Sequence, residues 1–558
     1  MAKRKFELLK KLRIIPLGGV GEIGKNMTVI EYDEDIIVVD CGMSFPDDEM
    51  LGVDLVIPDM TYLERKAANI RGLVVTHGHE DHIGAIPYLL KNINVPVYGT
   101  QLTLGLIEHK LNENNVENAQ LTCVAPGDIL RLGCFRIEFI KVNHSIAGAV
   151  ALAITTPLGV VIHTGDFKLD YTPIDGEPMD LSRLAQYGAQ GVLALMSDST
   201  NVERIGYTQS EQELGRTFEK CFLQAEGRII VATFASNIYR IQQVADVAIA
   251  HGRFICFQGR SMVQIAEMAM NMGYLSIPIE CIVDVDKLRS IPDDKVCVIT
   301  TGSQGEPMSG LFRMANATHK LNVGEGDTVI ISATAIPGNE KGVAKVINQL
   351  FSRGVKVIYD QMADVHVSGH ARREELKLML ALIKPKFFIP IHGEHRHLYQ
   401  HAEIAASMGI PLENIFAVDC GDIVELTDTF GVIAGEVPSG AVLVDGFGVG
   451  DIGMSVLRDR RILSQDGLVT VVVAVHADTG MLSASPEIVT KGFVFVRDSE
   501  ELIGGALKLI SDRAEQFANV HRNDWPQLKN SMKQVLKSYL YDKTGRMPMI
   551  LTILMETE

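Results

Sequence analysis

The feature that most constrains this fold is a repeated local pattern, in which a short β-branched run stops abruptly at glycine or polar residues. Such runs lie at 36–39, 73–76, 160–163, 192–196, 229–233, 296–299, 328–331 and 387–391. Short continuous apolar runs are typical of strands buried on both faces. Stretches with helical periodicity separate many of them, at 211–225, 238–250, 261–272 and 371–383. The pattern predicts an α/β protein whose ligand sites lie where strands end.

Length and composition fit a multidomain globular protein. Of the residues, 47% are hydrophobic and 22% are charged, which excludes disorder as the main state of the chain. The length is 558 residues, and at about 150 residues per domain the chain should hold three or four domains. No apolar run approaches the ~20 residues of a membrane span, and no apolar core follows the basic N-terminus as in a signal peptide. The eight cysteines form no CxxC pair, which indicates reduced thiols. We expect a cytoplasmic protein without membrane contact.

The net charge of −17 argues against non-specific nucleic-acid binding, which depends on a basic surface. A local basic groove can nevertheless coexist with an acidic whole. Charge alone therefore leaves nucleic acid open as a partner.

The segment His77-Gly-His79-Glu-Asp81-His82 carries the strongest chemical signal. Three imidazoles and a carboxylate follow a predicted buried strand, and we expect a helix to begin at His82. This donor set suits Zn²⁺, or Mn²⁺ where oxygen ligands dominate. A solvated histidine-rich turn is the alternative, but the spacing directly after a strand favours metal binding.

One motif cannot supply two metal ions, so further ligands should follow other strands. His144 in VNHSIAG, Asp166 in HTGDF and His392 in IPIHGEH are the candidates. Each alone could be a satisfied polar residue at a strand end. Together with 77–82 they complete a dinuclear set.

A glycine pattern near the N-terminus imitates a dinucleotide-binding fingerprint. Residues 19–24 fit GxGxxG, and Asp40 lies where a ribose-binding acid would be expected. The residues that follow the glycines read as strand, so no helix N-terminus is available for a pyrophosphate. We therefore predict a β-hairpin turn here.

These motifs together resemble a known family. HxHxDH, a lone histidine and HTGD resemble the metallo-β-lactamase fold, and SDSTN, VSGH and IPIHGEH are similar to the three motifs of β-CASP nucleic-acid nucleases. With ATFASN, GRSM, TGSQGEP and the C-terminal GDIG, LRDRR and KTGRMPMI, the sequence resembles the bacterial ribonuclease J family almost end to end. The resemblance implies a metallo-β-lactamase αββα sandwich, an inserted β-CASP α/β domain and a small C-terminal α/β domain.

The resemblance also implies the ligands of two divalent ions, Zn²⁺ with Mn²⁺ or Mg²⁺ as alternatives. One ion would be held by His77, His79 and His144, the other by Asp81, His82 and His392, with Asp166 bridging and Asp40 orienting a ligand from behind.

In the implied reaction, RNA is hydrolysed by a metal-activated water. Asp81 would accept the proton of that water. His370 would donate a proton to the leaving oxygen or steady the scissile phosphate, with Asp198 orienting it. A packing role is the alternative for His370. His163 is interpreted as a structural residue or as one that orients a ligand from behind, and the histidines at 395, 397 and 401 are interpreted as surface residues.

Two groups of residues are candidate RNA contacts. Short side chains at strand ends of 229–340 expose backbone N–H groups that bind phosphate, and the candidates are Ser236, Asn237, Arg260, Ser303 and Ser332. Ordinary turn chemistry is the alternative for each. The resemblance adds the segment His366, Val367, Ser368, Gly369 and His370. A pocket for a 5′-monophosphate there would permit 5′→3′ exonuclease action, and an open channel would permit endonuclease action.

A structural calcium site is also implied, since some family members carry one. Its ligands here would be the carbonyls of Leu51 and Val53 with Asp445. A turn residue is the alternative for Asp445.

We expect the core at 1–210 and 345–450, the insertion at 211–344, a linker at 451–459 and a C-terminal assembly domain at 460–558. The expected role is processing of ribosomal RNA and decay of messenger RNA. The expected partners are RNA, further copies in a homodimer or homotetramer, a paralogous subunit and other RNA-decay proteins. The alternatives are a DNA-directed β-CASP nuclease, a small-molecule hydrolase such as a thioesterase or lactamase, and a catalytically silent RNA-binding subunit.

Overall fold

The computed structural model describes residues 10–306, 308–335, 339–495, 499–520 and 524–557. The chain forms two compact units. The first runs up to Phe45 and continues from Leu55 to Val442, and the second combines Pro46–Asp54 with the chain from Leu443 onward. Among the described helices, none combines the length and the hydropathy that crossing a bilayer requires.

The first unit contains a sandwich of two sheets. In spatial order, the larger sheet comprises Gly431–Glu436, Asp422–Leu426, Leu12–Gly18, Met27–Tyr32, Asp35–Val39, Ile70–Val74, Val97–Gly99 and Leu121–Cys123. The smaller comprises Pro385–Ile391, Val192–Asp198, Gly159–His163, Val150–Thr156, Phe135–Lys141 and Ile129–Leu132. Their facing side chains, such as Ile30, Ile37, Leu152 and Met196, form one continuous apolar core.

Helices cover the outer face of the smaller sheet. Leu184, Leu376 and Ile404 join a second apolar cluster there with Phe388 of the sheet. The helices of the sandwich are Thr61–Arg65, Glu80–Ile83, Ile86–Asn92, Gln101–Glu113, Leu181–Gln190, Arg373–Ile383 and His395–Ser407. Short strands at Val20–Gly21 and Gly393–Glu394 pair in parallel beside them, and Leu55–Pro58 is a further strand.

The helix expected to begin at His82 is instead two short helices. The first, Glu80–Ile83, contains His82, and the second, Ile86–Asn92, follows a break at Gly84 and Ala85. Pro87 in the first turn of the second helix explains the break, because proline has no N–H to continue a preceding helical turn. The glycine pattern at 19–24 leads into a strand, as expected, so no helix follows it.

The inserted domain is a parallel five-stranded sheet with helices. Its strands, in spatial order, are Phe254–Gln258, Val296–Thr300, Ile229–Ala232, Thr328–Ile331 and Lys356–Ile358. Its α-helices are Gln212–Leu223, Ile238–Ala250, Arg260–Asn271, Gly310–Ala315 and Glu340–Ser352. The sheet extends beyond the expected boundary at 344, which falls inside the last of these helices. The final strand has only three residues, too few to mark it from sequence. We place the end of the insertion after Ile358.

The second unit contains a small mixed sheet. In spatial order its strands are Glu487–Lys491, Leu468–His476 and Met549–Thr557, and its helices are Met454–Asp466, Glu500–Val520 and Trp525–Thr544. Val469, Val471, Leu528 and Leu536 belong to its core. The expected linker at 451–459 lies mostly in the first helix, whose one buried residue, Leu457, gives too weak an apolar pattern to reveal it.

Candidate metal centre

Parallel strands bring the predicted ligands to one edge of the sandwich. Asp166 follows the strand Gly159–His163, and His392 follows Pro385–Ile391. Both strands pair in parallel with Val192–Asp198, which ends on the predicted catalytic residue Asp198. Because the carboxyl ends of parallel strands meet at the same edge, these side chains lie together.

A first set of donor atoms comprises His77 Nε2, His79 Nδ1, His144 Nε2 and Asp166 Oδ2. His79 Nδ1 lies 3.2 Å from His77 Nε2 and 3.1 Å from His144 Nε2. Asp166 Oδ2 lies 3.6 Å from His77 Nε2 and 3.8 Å from His144 Nε2. These are the four residues expected around the first ion.

A second set faces the same Asp166 oxygen. His392 Nε2 lies 3.0 Å from Asp81 Oδ2, and His82 Nε2 lies 3.5 Å from that oxygen. His82 Nε2 is also 3.3 Å from Asp166 Oδ2. Asp166 therefore stands between the two sets, where a bridging ligand would have to be.

The donor atoms fit divalent cations in chemistry and spacing. Tetrahedral ligands at the ~2.1 Å typical of zinc are about 3.4 Å apart, and the measured separations run from 3.0 to 3.8 Å. Imidazole and carboxylate also bind Mn²⁺. The two sets can hold two divalent ions, and the donor types do not choose between zinc and manganese.

Hydrogen bonds behind the rings fix which nitrogen faces the centre. The Nδ1–H of His82 donates to Asp40 at 2.8 Å, and that of His144 donates to the Gly369 carbonyl at 2.7 Å. The Nδ1–H of His77 donates to Thr76 Oγ1 at 3.1 Å, and this hydroxyl in turn donates to Asp40 at 2.8 Å. Each ring thereby turns its Nε2 towards the centre.

Two residues of the centre have a strained backbone. Asp40 and His392 have φ values of +60° and +54°, in the left-handed region that non-glycine residues rarely adopt. The Asp40 carboxylate also accepts the Thr76 N–H at 2.7 Å, and the His392 N–H donates to the Gly19 carbonyl at 2.7 Å. Such strain is characteristic of functional sites whose surroundings hold the geometry.

The pKa shifts divide the centre into two electrostatic halves. Burial and neighbouring imidazoles lower the pKa of His77 and of His144 well below the ordinary value, so these rings keep free lone pairs. Burial opposes protonation of His82, but the carboxylates of Asp166 and Asp81 outweigh it and raise its pKa well above the ordinary value. A cation and a proton therefore compete for the second set.

The predicted catalytic pair lies beside the second set. His370 Nδ1 donates to Asp198 Oδ2 at 2.8 Å and lies 3.9 Å from Asp166 Oδ2. Burial opposes protonation, but Asp198 raises the pKa of His370 above its ordinary value. The His370 side chain is 20% exposed and Asp198 only 1%, so the imidazole is the accessible member of the pair.

The segment 366–370 joins the insertion to the metal centre. His366 is half-buried and contacts Thr334 Oγ1 through Nδ1 at 3.0 Å, and the buried Val367 precedes Ser368, which accepts a hydrogen bond from Asn201 at 2.7 Å. Gly369 packs so tightly that a Cβ there would lie 2.5 Å from Cε1 of His144. Position 369 therefore has to be glycine if His144 is to keep its place.

The candidate phosphate contacts of the insertion fall into different environments. Arg260 is exposed and pairs with Glu113 at 3.2 Å. Asn237 caps the helix Ile238–Ala250 through its side chain, and Ser332 donates to the Val365 carbonyl at 2.5 Å. Ser236 is half-buried and Ser303 is buried. Asn237 and Ser332 thus have internal partners, and all five roles stay predictions.

Two histidines expected on the surface are buried. His397 is 4% and His401 0% exposed, because the helix that carries them packs onto the smaller sheet, where His401 stacks edge-on against Phe388. His395 is exposed, as expected. His163 is buried and accepts the Gly165 N–H at 3.1 Å, which agrees with a structural interpretation.

Several residues of the site were missed. Thr76 orients His77 and Asp40. Thr200 contacts His392 Nδ1 at 2.8 Å and donates to Asp198 at 2.7 Å. The side-chain amide of Asn26 donates to the Asp81 carbonyl at 3.1 Å. Their closeness in sequence to recognised motifs could have identified them. Thr76 directly precedes the histidine motif, Thr200 belongs to SDSTN, and Asn26 follows the glycine loop.

Two of the three predicted calcium ligands, Leu51 and Asp445, contact one arginine in the second unit. Arg460 donates to the Leu51 carbonyl at 2.9 Å and to Asp445 at 2.6 Å. The Val53 N–H donates to the Met50 carbonyl at 3.1 Å. A guanidinium thus supplies the positive charge that calcium was expected to bring to Leu51 and Asp445.

Comparison with known proteins agrees with this geometry. Family models match for the metallo-β-lactamase superfamily at 20–193, the ribonuclease J β-CASP domain at 226–350, the Zn-dependent metallo-hydrolase RNA specificity domain at 354–417 and the ribonuclease J C-terminal domain at 455–557. They confirm the predicted fold class. A solved protein of unknown function from Enterococcus faecalis V583 shares the fold at a TM-score of 0.52 and 17% identity, over 75% of this chain and all of that one.

Curated relatives match over nearly the whole chain. Ribonuclease J2 of Bacillus subtilis is 44% identical, with 98% of this chain and 99% of the relative covered. Ribonuclease J of Synechocystis is 44% identical over 97% of this chain and 86% of the relative, and ribonuclease J 1 of Streptococcus pyogenes is 43% identical over 97% of each. With this identity over this length, the chain belongs to the ribonuclease J family.

Proposed function

We propose that this protein is a metal-dependent ribonuclease that hydrolyses RNA phosphodiester bonds with the help of two divalent ions. One observation carries the proposal. Two sets of imidazole and carboxylate donor atoms share the Asp166 oxygen, beside a histidine paired with Asp198. The names of the relatives, all ribonucleases J, support the same activity.

The chain's carboxylates would handle the attacking water. Divalent ions, when bound, supply Lewis acidity and lower the pKa of that water. The Asp81 side chain is 30% exposed, against 2% for Asp166, so Asp81 can reach solvent and accept a proton. Asp166 stays buried between the two sets of donor atoms and would contribute a ligand to both.

His370 would act on the other side of the scissile bond. Asp198 accepts its Nδ1–H and leaves Nε2–H free to donate. We propose that Nε2–H protonates the leaving oxygen or steadies the phosphate. Effective proton donors need a pKa close to the working pH, and the raised pKa of His370 favours the donating form.

We further propose both 5′→3′ exonuclease action, with preference for a 5′-monophosphate, and endonuclease action. His366 and Ser368 in the segment 366–370 would contact the substrate, with Ser236, Asn237, Arg260, Ser303 and Ser332 on the insertion as further candidates. The buried Thr233 hydroxyl, at a strand end of the insertion, has no hydrogen-bond partner among the described residues. A phosphate oxygen is one partner that could satisfy it.

The rival functions differ in what they require. An RNA specificity domain model matches 354–417, which favours RNA over DNA and over a thioester or lactam. A silent RNA-binding subunit would not need seven converging metal-donor side chains. We therefore favour an active ribonuclease.

One experiment tests these alternatives. Purified protein is loaded with Zn²⁺, Mn²⁺ or Mg²⁺, its metal content is measured, and it is given 5′-monophosphorylated, 5′-triphosphorylated and 5′-hydroxyl RNA and a matched DNA. We expect cleavage of RNA, fastest with the 5′-monophosphate, with about two ions per chain and no cleavage by His79→Ala. Equal cleavage by His79→Ala would refute the metal assignment, and faster DNA cleavage would favour the DNA-directed rival.

We also propose a cytoplasmic enzyme that forms a homodimer or homotetramer through its C-terminal domain and acts in RNA maturation and decay. All eight cysteines are free thiols, which fits a reducing compartment. Light scattering of the full chain and of a chain truncated after Val442 would test the assembly. If both proteins contained the same number of chains per particle, the C-terminal domain would be excluded as the cause of assembly.

A further inference from the structure

Glu375 is a buried carboxylate with an unusual set of partners. It is 0% exposed and accepts the N–H groups of Arg372 at 2.7 Å, Thr208 at 2.8 Å and Leu169 at 2.7 Å, and the Thr208 hydroxyl at 2.7 Å. Burying a carboxylate is costly unless hydrogen bonds compensate. These donors supply that compensation and fix the carboxylate in one position.

The donors come from three loops of the catalytic edge. Leu169 follows Asp166, Thr208 follows the SDSTN segment that contains Asp198, and Arg372 follows His370. The bond to Arg372 alone is an ordinary capping box at the start of a helix. A helix cap does not require the bonds to Leu169 and Thr208, which lie 206 and 167 residues away in sequence.

Thr208 carries this constraint to the catalytic histidine. Its hydroxyl lies 2.9 Å from the His370 carbonyl as well as 2.7 Å from Glu375. One hydroxyl proton shared between two acceptors is a three-centre bond. The Asn201 amide donates to the same carbonyl at 3.1 Å. The backbone of His370, whose ring donates to Asp198, is thereby held by two side chains.

We propose that Glu375 and Thr208 are positioning residues, which hold the His370 ring in the orientation that delivers its proton to the leaving oxygen. The inference rests on the proposed function, because it assumes that His370 is the proton donor. The hydrogen-bond partners found for the two side chains among the described residues include no donor atom of the metal centre, so both would act on proton delivery and leave metal binding unchanged.

The test compares two leaving groups. RNA needs protonation of the departing oxygen, whereas the p-nitrophenyl ester of uridine 5′-monophosphate releases p-nitrophenolate without a proton donor. Thr208→Val removes only the hydroxyl, Thr208→Ser restores it, and Glu375→Gln removes the charge. Thr172→Val is the matched control, since the Thr172 hydroxyl donates to Ser210 on the same pair of loops without touching His370.

We expect Thr208→Val to lower kcat on RNA by about 10- to 100-fold. KM, metal content and turnover of the aryl ester should stay close to the parent values. Thr208→Ser should recover most of the loss, Glu375→Gln should follow Thr208→Val, and Thr172→Val should resemble the parent.

Equal loss on both substrates would mean a general structural role, and no loss on either would mean no role; each result overturns the inference. If Glu375→Gln does not fold, Thr208→Val still decides. A metal-loaded parent that cleaves neither substrate would instead refute the proposed function, and the two failures are therefore distinguishable.

Discussion

Two buried polar clusters lie almost next to each other in the first unit, and they differ in how their charges are satisfied. One is the metal centre. The other, the ionic cluster, consists of Lys168, Asp170, Glu211 and Arg240, each at most 3% exposed. Glu211 pairs with Lys168 at 3.1 Å and with Arg240 at 2.9 Å, and Asp170 accepts the Glu211 N–H at 3.0 Å.

The ionic cluster balances its own charges, with two cations against two anions. Arg240 also donates to Ser332 Oγ at 2.7 Å. In the metal centre, imidazole nitrogens and carboxylate oxygens instead converge on common positions. The comparison teaches that clustering of polar residues does not by itself mark a ligand site; uncompensated lone pairs that converge do.

The largest expected effect comes from removing the shared ligand of the metal centre. Asp166→Asn should lower RNA cleavage by about 10⁴-fold, equivalent to ~5.5 kcal/mol of transition-state stabilisation, because both donor sets lose their common charge. Bound metal per chain should fall as well. Cleavage rates and elemental analysis of the variant measure both effects.

The control is the far-UV circular dichroism spectrum of the metal-free variant, which should match that of the parent, because asparagine keeps the shape of the aspartate side chain. If Asp166→Asn bound as much metal as the parent, the proposed difference between the metal centre and the ionic cluster would be refuted.

The ionic cluster should respond in the opposite way. Glu211→Gln leaves Lys168 and Arg240 without their shared anion, and breaking a buried pair from one side costs about 3–5 kcal/mol. We expect a lower Tm by calorimetry with unchanged metal content. Glu213→Gln, an exposed carboxylate on the same helix, is the matched control. A Glu211→Gln protein of parent stability that has lost metal would show that the cluster belongs to the metal centre.

The prediction of the metal centre draws mainly on local sequence information. Six of the seven predicted ligands follow strands that read as short apolar runs, and parallel pairing places the ends of Gly159–His163 and Pro385–Ile391 beside Val192–Asp198. His144 instead follows Phe135–Lys141, which pairs antiparallel with its neighbours, and its place in the centre depends on the tertiary fold. His77 and His392 are far apart in the chain, yet both follow strands that local pattern identifies. The same runs predict an α/β protein, whereas the αββα sandwich and its insertion were implied by the family resemblance.

Contacts between residues that lie far apart in the chain leave no such signal in the sequence. Glu375 reads as an ordinary helix-start acid, and its bonds to Leu169 and Thr208 appear only in the folded chain. His401 lies on a polar-looking helix face, and only packing against Phe388 makes it buried. The strand Lys356–Ile358 is too short for periodicity to identify, so the predicted end of the insertion at 344 lies before it, inside the helix Glu340–Ser352.

The acid sensitivity of the ionic cluster gives a smaller effect. Burial alone would raise the pKa of Glu211, but Lys168 and Arg240 lower it from 4.5 to about 2. Because the folded pKa is depressed, its stabilisation is fully present above about pH 4.5 and is lost as pH falls towards 2. The difference corresponds to about 3 kcal/mol.

We therefore expect the Tm gap between the parent and Glu211→Gln to be constant above pH 5 and to close towards pH 2. Both proteins are measured with chelator present, so that metal release does not contribute. A gap that widens in acid would contradict a charge-based role for Glu211.

The smallest predicted effect concerns the hydroxyl behind His77. Thr76 accepts the His77 Nδ1–H and donates to Asp40, and Thr76→Val keeps the shape while removing both bonds. Loss of such a supporting bond lowers metal affinity about 10- to 100-fold, or ~1.4–2.7 kcal/mol. Competition for Zn²⁺ against a chromophoric chelator measures it. Thr156→Val, which removes a hydrogen bond to Gly159 in a hairpin, should leave affinity unchanged. Equal losses in both variants would mean that general destabilisation, rather than ring orientation, limits metal binding, and the contrast between the two clusters would lose its chemical basis.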